Sequence, residues 1–357
     1  PSLAGNGVYN AVVIITLFWG GVLVSSRGLS VLAELSSSGT VVGTLVPAAI
    51  LVALGIAYLA GGNHSAAPMT AHHALPEWHG LASVVLVVNA FFTYAGVEVN
   101  AVHVDELSNP GRDYPKAVFL AMGVVLVVFI LPTLAISWVV PSRHISFTAG
   151  VMQAFDRLLG HFGLGFAVPL VAIALAVGAL AGMLAWLGGP SEGLLRIGRE
   201  HGYLPPYFQK VNPKGTEVHI LAAQGTVITI IAVLYAFIPS VSHAYWIFAA
   251  MATQVYLVMY VLMFIAATRL RHSQPNHPRG YRAPALGLLC VLGALSSVAA
   301  FVIGFIAPSQ FGNSSPLVYA ALILGGIVTI GILPPLLLDR LRKPGWKAPL
   351  VENRVDH

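Results

Sequence analysis

The sequence predicts an all-α polytopic membrane protein. Hydrophobic residues make up 57% of the 357 residues and charged residues only 9%, whereas a soluble domain carries about 25% charged residues. Nine apolar runs are long enough to cross roughly 30 Å of hydrocarbon as helices. The basic residues between these runs are also distributed unequally between the two faces that the runs would define. Lipid as the outer solvent explains all three observations.

The nine runs define the predicted helices and the domain organisation. The apolar residues show no strict alternation over about ten residues, which spanning β-strands would require. We expect a transmembrane bundle over residues 1–339 and a cytoplasmic tail over 340–357. The predicted spans are 8–25, 38–60, 81–104, 117–140, 166–188, 218–238, 245–268, 285–307 and 316–338.

Lysine and arginine predict the orientation of the bundle. All 18 of them except Arg143 and Arg157 fall in the tail or in the loops after runs one, three, five and seven. Cytoplasmic loops of membrane proteins carry an excess of basic residues. The pattern therefore predicts a cytoplasmic C-terminus and an outward-facing Pro1. Because the chain opens on proline and a span begins almost at once, we expect a sequence that lacks its natural N-terminus.

Residues 141–165 predict a short helix at the outer interface. Its apolar side chains recur at helical spacing, and its polar side chains occupy the rest of the helical wheel, as in helices that lie in a membrane interface. The apolar set is Phe147, Val151, Phe155, Leu158 and Leu159.

Glu98 is the main candidate functional residue. Nearly every other charged side chain falls in a loop or at a span end, but Glu98 lies inside the third run with apolar neighbours. A charge at the bilayer centre costs about 2.5–3.5 kcal/mol on insertion scales. A bound proton, a cationic partner or a water-filled cavity would offset that cost. A hydrogen-bonded structural role for Glu98 is the alternative.

The third run also predicts an interrupted helix. Polar residues in and around the stretch Tyr94–Glu98 would share one helical face. Gly96 allows the helix to unwind within that stretch. Unwound backbone at membrane depth is tolerated where it lines a cavity or is buried in protein. Its N–H groups can bind a carboxylate and its carbonyl groups an ammonium. The predicted stripe consists of Asn89, Thr93, Gly96, Asn100 and His103.

Two later runs carry further candidates. Trp186 lies in run five among glycines, where it either packs between helices or forms a wall of a substrate site; this helix is expected to continue to about Gly202. Run seven carries Thr253, Tyr256 and Tyr260 near mid-span. A hydroxyl at that depth needs a partner, so substrate contact and helix–helix hydrogen bonding both remain open.

Composition and motifs argue against several other functions. The single cysteine, Cys290, rules out an internal disulfide and a multi-thiolate metal site. The metalloprotease, nucleophile-elbow and phosphate-loop motifs are absent. His103 and Glu106 at a span end make a poor metal site. We therefore expect no enzyme, no cofactor, no metal and no nucleic-acid partner.

Histidines on the predicted outer face allow a hypothesis of acid sensing. They would gain charge near pH 6, although solvated loop residues are the simpler interpretation. The set is His64, His72, His73, His79, His144, His161 and His243.

Four short motifs resemble the amino acid–polyamine–organocation transporters, and the bacterial glutamate/GABA antiporters most of all. The similarity covers the whole chain. The motifs are FFTYAGVEV at 91–99, ELSNP with YPKA at 106–117, GPSEGL followed by LP at 189–205, and VYLVMY at 255–260.

The resemblance implies a LeuT-like inverted-repeat bundle of twelve spanning helices, of which nine are present here as helices four to twelve. The third run then corresponds to the sixth helix, which is broken at the substrate site in that family. The first helix, which supplies about half of the substrate contacts, is missing, so we do not expect this chain to transport alone. The tail is shorter than the pore-plugging tail of those antiporters.

The resemblance also assigns roles to single residues. Phe92 corresponds to the gate of the broken helix, and Trp186 to a wall of the site. The remaining implied substrate-site residues are Tyr94, Ala95, Gly96, Val97 and Glu98 on the broken helix, and the pair Tyr256 and Tyr260.

These observations together predict an amino acid antiporter of the cell (inner) membrane, of the glutamate/GABA exchange type, working by alternating access. Its partners are a small amino acid or amine and the lipid bilayer. One alternative is a proton-coupled permease or exchanger for cationic amino acids or polyamines, since a single buried acid can pair with a cation. A channel or membrane-embedded enzyme is the alternative from another class.

Overall fold

The computed structural model describes residues 6–68, 88, 91, 93–146, 149–237, 241–306 and 315–348. Within these residues the chain is helical and contains no strand. The helices are α1 (Gly7–Ser25), α2 (Leu29–Thr40), α3 (Val46–Ala60), α4 (Pro110–Val139), α5 (Gly150–His161), α6 (Val168–His201), α7 (Val218–Ala236), α8 (Val241–Ser273), α9 (Leu286–Ile303), α10 (Pro316–Gly326) and α11 (Leu333–Leu341).

Shorter helical turns connect or cap these elements. π-Helical turns at Val41–Leu45 and Ile327–Ile332 make α2–α3 and α10–α11 into two continuous helical stretches. Short 3₁₀ helices lie at Val99–Glu106, Ser142–His144, Gly165–Ala167 and Pro344–Trp346.

Seven helical stretches in the described part of the chain are long and apolar enough to cross a membrane, and Val218–Leu234 is a shorter apolar helix. Eight of the nine predicted runs therefore coincide with observed helices. The remaining run, 81–104, lies largely outside the described residues. The count of nine spans stays a prediction.

The second predicted span begins earlier than expected, at Leu29 rather than near residue 38. The additional residues include serines, which are polar. In the structure its hydroxyl groups bond to the carbonyl groups of their own helix, as Ser38 Oγ does to Glu34 O at 2.6 Å and Thr40 Oγ1 to Ser36 O at 2.7 Å. Such internal bonds satisfy polar side chains within a helix.

The described residues form two compact units. The first unit comprises the described residues up to 68, those of 124–242 and those from 342 onward. The second unit comprises the described residues of 88–123 and 243–341.

Close glycine contacts join the helices of the first unit. A Cβ atom built on Gly43 would lie 2.1 Å from the backbone nitrogen of Gly178 on α6. Only residues without side chains allow two helix backbones to approach this closely. Helix α2 also packs against α6, and α1 packs against α7. Helix α6 continues to His201 and ends on left-handed Gly202, which confirms the predicted end.

The amphipathic helix predicted within 141–165 is present as α5. Its inner face is fully buried, with Phe155 and Leu158 both 0% exposed against Leu51 of α3 and Ala135 of α4. Val151, predicted to be on that face, is 40% exposed, and Phe147 lies outside the described residues.

The start of the predicted tail is packed rather than free. The backbone N–H of Lys343 donates to Gly202 O at 3.3 Å, and that of Ala348 to Arg199 O at 3.1 Å. Gln209 Nε2 donates to Trp346 O at 2.7 Å. Residues 342–348 therefore pack onto the end of α6 in the first unit. The membrane side of this contact stays a prediction.

In the second unit, buried apolar residues hold α8, α9 and α10 together. Ala250 of α8 packs with Tyr319 and Ile323 of α10, and Leu257 of α8 packs with Ala300 of α9. The same unit contains the irregular segment around Gly96.

Candidate functional site

The backbone leaves the α-helical conformation at residues 93–98. This segment forms turns, and the following residues Val99–Glu106 form a 3₁₀ helix. Two hydrogen bonds across the turns are long: the N–H groups of Tyr94 and Val97 lie 3.4 and 3.5 Å from the carbonyl oxygens three residues earlier. Bonds of this length are weak. The predicted interruption at Ala95–Val97 is confirmed.

Gly96 is the residue that allows the interruption. Its φ angle is +98°, in a region that residues with a Cβ atom rarely adopt. The carboxylate of Glu98 bends back on this turn, and its Oε1 accepts a hydrogen bond from the Gly96 N–H at 3.3 Å. Both residues are half-buried. The turn thus shows that its backbone amide can hold a carboxylate oxygen.

Three tyrosines lie within electrostatic range of Glu98. The rings of Tyr256 and Tyr260 on α8 meet edge to face with their centroids 5.7 Å apart. The Glu98 carboxylate lies close enough to both phenols, and to that of Tyr114 on α4, to interact with them electrostatically. The structure therefore brings together Glu98 and the tyrosine pair, which were predicted from separate runs of the sequence.

Tyr114 is a neighbour of Glu98 that sequence reasoning did not single out. It belongs to the YPKA motif, but on its own this motif reads as an ordinary helix start after a polar turn. It is the fifth residue of α4, and its phenol lies within electrostatic range of Glu98. The sequence offers only a tyrosine followed by a proline, and this pair does not indicate which residues lie near the tyrosine ring.

For the other predicted site residues, the structure gives a position in the chain and a degree of burial but no contact with the residues around Glu98. Tyr94, Ala95 and Val97 are half-buried in the irregular segment, and Phe92 lies outside the described residues. Trp186 lies on α6 in the first unit with 42% of its surface exposed. Substrate contact by all of these residues stays a prediction.

The prediction of a single polar helical face through Thr93, Gly96 and His103 is wrong. Such a face requires 3.6 residues per turn, whereas residues 93–98 form turns and residues 99–106 a 3₁₀ helix. The glycine that was expected to loosen the helix does so strongly enough to remove the periodicity on which the stripe depended.

The structure describes only some of the histidines on which the acid-sensing hypothesis rests. His72, His73 and His79 lie outside the described residues. His161 does have neighbours: its ring meets that of Tyr58 edge to face at 5.0 Å. In the part of the chain that the structure describes, no three His, Cys, Asp or Glu side chains cluster as metal ligands would. Acid sensing stays a hypothesis.

The geometry suits recognition of a small zwitterion. An irregular segment offers backbone N–H and carbonyl groups that a continuous helix would use internally. Glu98 adds a negative charge, and the tyrosines add hydroxyl groups. A broken helix with one acid and several aromatic side chains within a multi-helix apolar bundle is typical of a membrane transporter for small polar solutes.

Comparison with known proteins identifies the family. The sequence model of the amino acid permease family matches residues 1–329. An uncharacterized transporter of Legionella pneumophila is 31% identical over 94% of this chain and 72% of its own length. A glutamate/gamma-aminobutyrate antiporter of Lactococcus lactis is 30% identical over 93% of this chain and 67% of its own. A probable agmatine/putrescine antiporter of the same species is 23% identical over 72% of this chain.

The fold and the broken helix define a membrane-embedded, multi-pass transporter. The chain belongs to the amino acid permease family, and its class of substrate is amino acids. The predicted resemblance and the predicted fold class are thereby confirmed.

Proposed function

We propose that this protein exchanges glutamate for gamma-aminobutyrate or a closely related amino acid by alternating access. It would lie in the cell (inner) membrane with its C-terminus in the cytoplasm. The observation that carries the proposal is the broken helix at Gly96, whose amide already holds the carboxylate of Glu98. The names of the Lactococcus lactis relatives support the choice of substrate pair.

In this proposal a substrate carboxylate competes with Glu98 for the Gly96 N–H. The 3.3 Å bond between them is long for a charged acceptor, so displacing Glu98 costs little. The displaced carboxylate would then face the substrate ammonium group or take a proton. The family resemblance implies that Phe92 and Trp186 close the site and that Tyr94, Tyr256 and Tyr260 line it.

Exchange requires that the empty carrier reorient slowly. A ligand shifts the equilibrium between inward and outward states only by its differential affinity for them. In this proposal the bond between Glu98 and the Gly96 N–H forms in only one of the two empty states, and substrate removes the preference for that state by displacing Glu98. The bond would hold the empty carrier in one state.

Counterflow in proteoliposomes, with the protein prepared together with the first helix of the family, tests the substrate and the exchange together. Vesicles loaded with glutamate, GABA, glutamine, arginine or agmatine should take up labelled glutamate only when the internal solute is glutamate, GABA or a close relative. Equal uptake into empty vesicles would contradict exchange. Stimulation by internal arginine or agmatine alone would favour the alternative of a cationic amino acid or polyamine exchanger, which the agmatine/putrescine relative supports.

Glu98→Gln tests the role of the acid. Glutamine keeps an oxygen that accepts the Gly96 N–H but removes the charge, so protein yield should stay normal. The transport rate should fall about tenfold, which corresponds to roughly 1.4 kcal/mol of lost interaction. Glu34→Gln on α2, an exposed acid of the first unit, is the matched control and should transport normally. Normal transport by Glu98→Gln at every pH would remove Glu98 from the mechanism.

A further inference from the structure

A basic cluster of four side chains lies around the C-terminal end of α6, in the first unit. Three of its members belong to the segment 342–348, which packs onto that end of α6. The fourth follows the glutamine that holds this segment in place. All four side chains are exposed. The basic cluster consists of Lys210, Arg342, Lys343 and Lys347.

Three of these cations share the neighbourhood of two consecutive residues, Gly202 and Tyr203. The guanidinium carbon of Arg342 lies 5.0 Å from the centroid of the Tyr203 ring, and Arg342 Nη1 donates to the Tyr203 hydroxyl at 3.3 Å. The backbone N–H of Lys343 donates to Gly202 O. A Cβ atom built on Gly202 would lie 3.4 Å from Lys347 Cγ. The charges are therefore gathered by the folded chain and not by a free tail.

Lys210 joins the cluster through its neighbour Gln209. The side chain of Gln209 is 6% exposed, and its Nε2 donates both to Leu204 O at 2.6 Å and to Trp346 O at 2.7 Å. The ammonium nitrogen of Lys343 lies 5.3 Å from the centroid of the Trp346 ring. The buried amide thus fixes the segment 342–348 beside the loop that carries Lys210.

The basic cluster has no counter-charge in the part of the chain that the structure describes, where none of its four members forms an ion pair. The acids of the surrounding segment 196–217 have other partners. Glu200 Oε1 accepts from Arg196 Nε at 3.2 Å, and Glu217 is buried and interacts with Arg199. Like charges held together repel one another, so an anion bound among them would stabilise the arrangement.

The cluster adjoins two helical stretches of membrane length. Arg342 immediately follows the stretch Pro316–Leu341, and the cluster surrounds the end of the stretch Gly165–His201. Clusters of about four to eight basic residues beside a spanning helix recognise anionic lipid headgroups. Aromatic rings are also enriched where a membrane meets water. The rings that lie beside the cations are those of Tyr203, Tyr207 and Trp346.

We propose that the basic cluster binds the phosphate headgroup of an anionic phospholipid in the surrounding membrane. The ammonium and guanidinium groups would bind the phosphate through charge-assisted hydrogen bonds. The apolar stems of the lysines and the aromatic rings would lie against the start of the acyl chains, as amphipathic side chains do at membrane interfaces. The lipid would neutralise charges that the described part of the protein leaves uncompensated.

Native mass spectrometry in neutral detergent tests this binding, with the protein prepared as for the counterflow experiment. The protein should bind phosphatidylglycerol about tenfold or more tightly than phosphatidylcholine, because only the former carries a net negative charge. Equal binding of the two lipids would overturn the proposal. Binding of inorganic phosphate as tight as that of phosphatidylglycerol would show a soluble anion as the occupant and would overturn it as well. Since transport is not measured, the outcome is independent of the proposed substrate.

Neutralising the cluster tests which residues are responsible. The triple variant Lys210→Gln, Lys343→Gln and Lys347→Gln leaves the bond between Arg342 and Tyr203 intact. It should lose most of the preference for phosphatidylglycerol, whereas arginine at the same three positions should retain it.

The matched control removes the same amount of charge from the second unit. The triple variant Arg269→Gln, Arg271→Gln and Arg282→Gln should bind phosphatidylglycerol like the wild type, because these residues lie outside the cluster. If this control loses the lipid as strongly as the cluster variant does, general attraction to a basic protein explains the binding and the proposal is wrong.

Discussion

The two units of this molecule use glycine in opposite ways. In the first unit, Gly178 lies in the unbroken 34-residue helix α6 and lets the backbone at Gly43 approach it. In the second unit, Gly96 adopts a φ of +98° within a segment of turns that is not α-helical. The same residue type therefore closes a helix–helix contact in one region and opens the backbone in the other.

The comparison teaches that the neighbours of a glycine decide its role. Around Gly178 the chain is apolar and a second helix backbone lies against it, so the helix gains packing by staying intact. Around Gly96 the chain carries Glu98, whose carboxylate accepts the freed N–H group. An internal acceptor for that donor makes the loss of helical bonds tolerable.

The largest expected effect is that of Gly178→Ala. The added Cβ atom would lie 2.5 Å from Gly43 O and 2.8 Å from Thr44 Oγ1, so two backbones must separate. We expect a loss of about 3 kcal/mol or more, measured as the thermal unfolding temperature in detergent. Unfolding at the wild-type temperature would show that the close contact is not present in solution.

An intermediate effect is expected for Gly96→Ala. A residue with a Cβ atom at this φ costs about 1–3 kcal/mol, and relief of that strain would distort the turn, so transport should fall more than stability does. Gly62→Ala is the matched control, because Gly62 has a φ of +82° and open space around it. The control should lose similar stability and retain transport. Equal transport by the Gly96→Ala and Gly62→Ala variants would contradict a role of Gly96 in transport.

The smallest effect is expected for Gly182→Ala, one turn after Gly178 on the same helix. Nothing lies within 4 Å of a Cβ atom at this position. Alanine is favoured over glycine in a helix by up to about 1 kcal/mol, so the unfolding temperature should rise slightly and transport should be unchanged. A large loss of stability here would mean that α6 makes a contact at Gly182 as well.

Several features were predictable from the sequence because they depend on local composition. The apolar runs give the spanning helices, and α6 could be expected to continue to about Gly202 because Pro190 is the only helix breaker within it; Gly202 supplies the left-handed cap at its end. The break at Gly96 was predictable because glycine and a buried acid occur together in an apolar run. The family followed from the motifs at 91–117, 189–205 and 255–260.

The tertiary structure alone decided which residues meet. Tyr114, Tyr256 and Tyr260 all lie within electrostatic range of Glu98, although Tyr256 follows Tyr114 by 142 positions in the sequence. The buried amide of Gln254 lies against Gly304. Residues 342–348 pack on the end of α6. Local sequence fixes hydropathy and backbone preference, both of which act over a few residues. Contacts between distant segments depend on how helices pack, and no single run of the sequence contains that information.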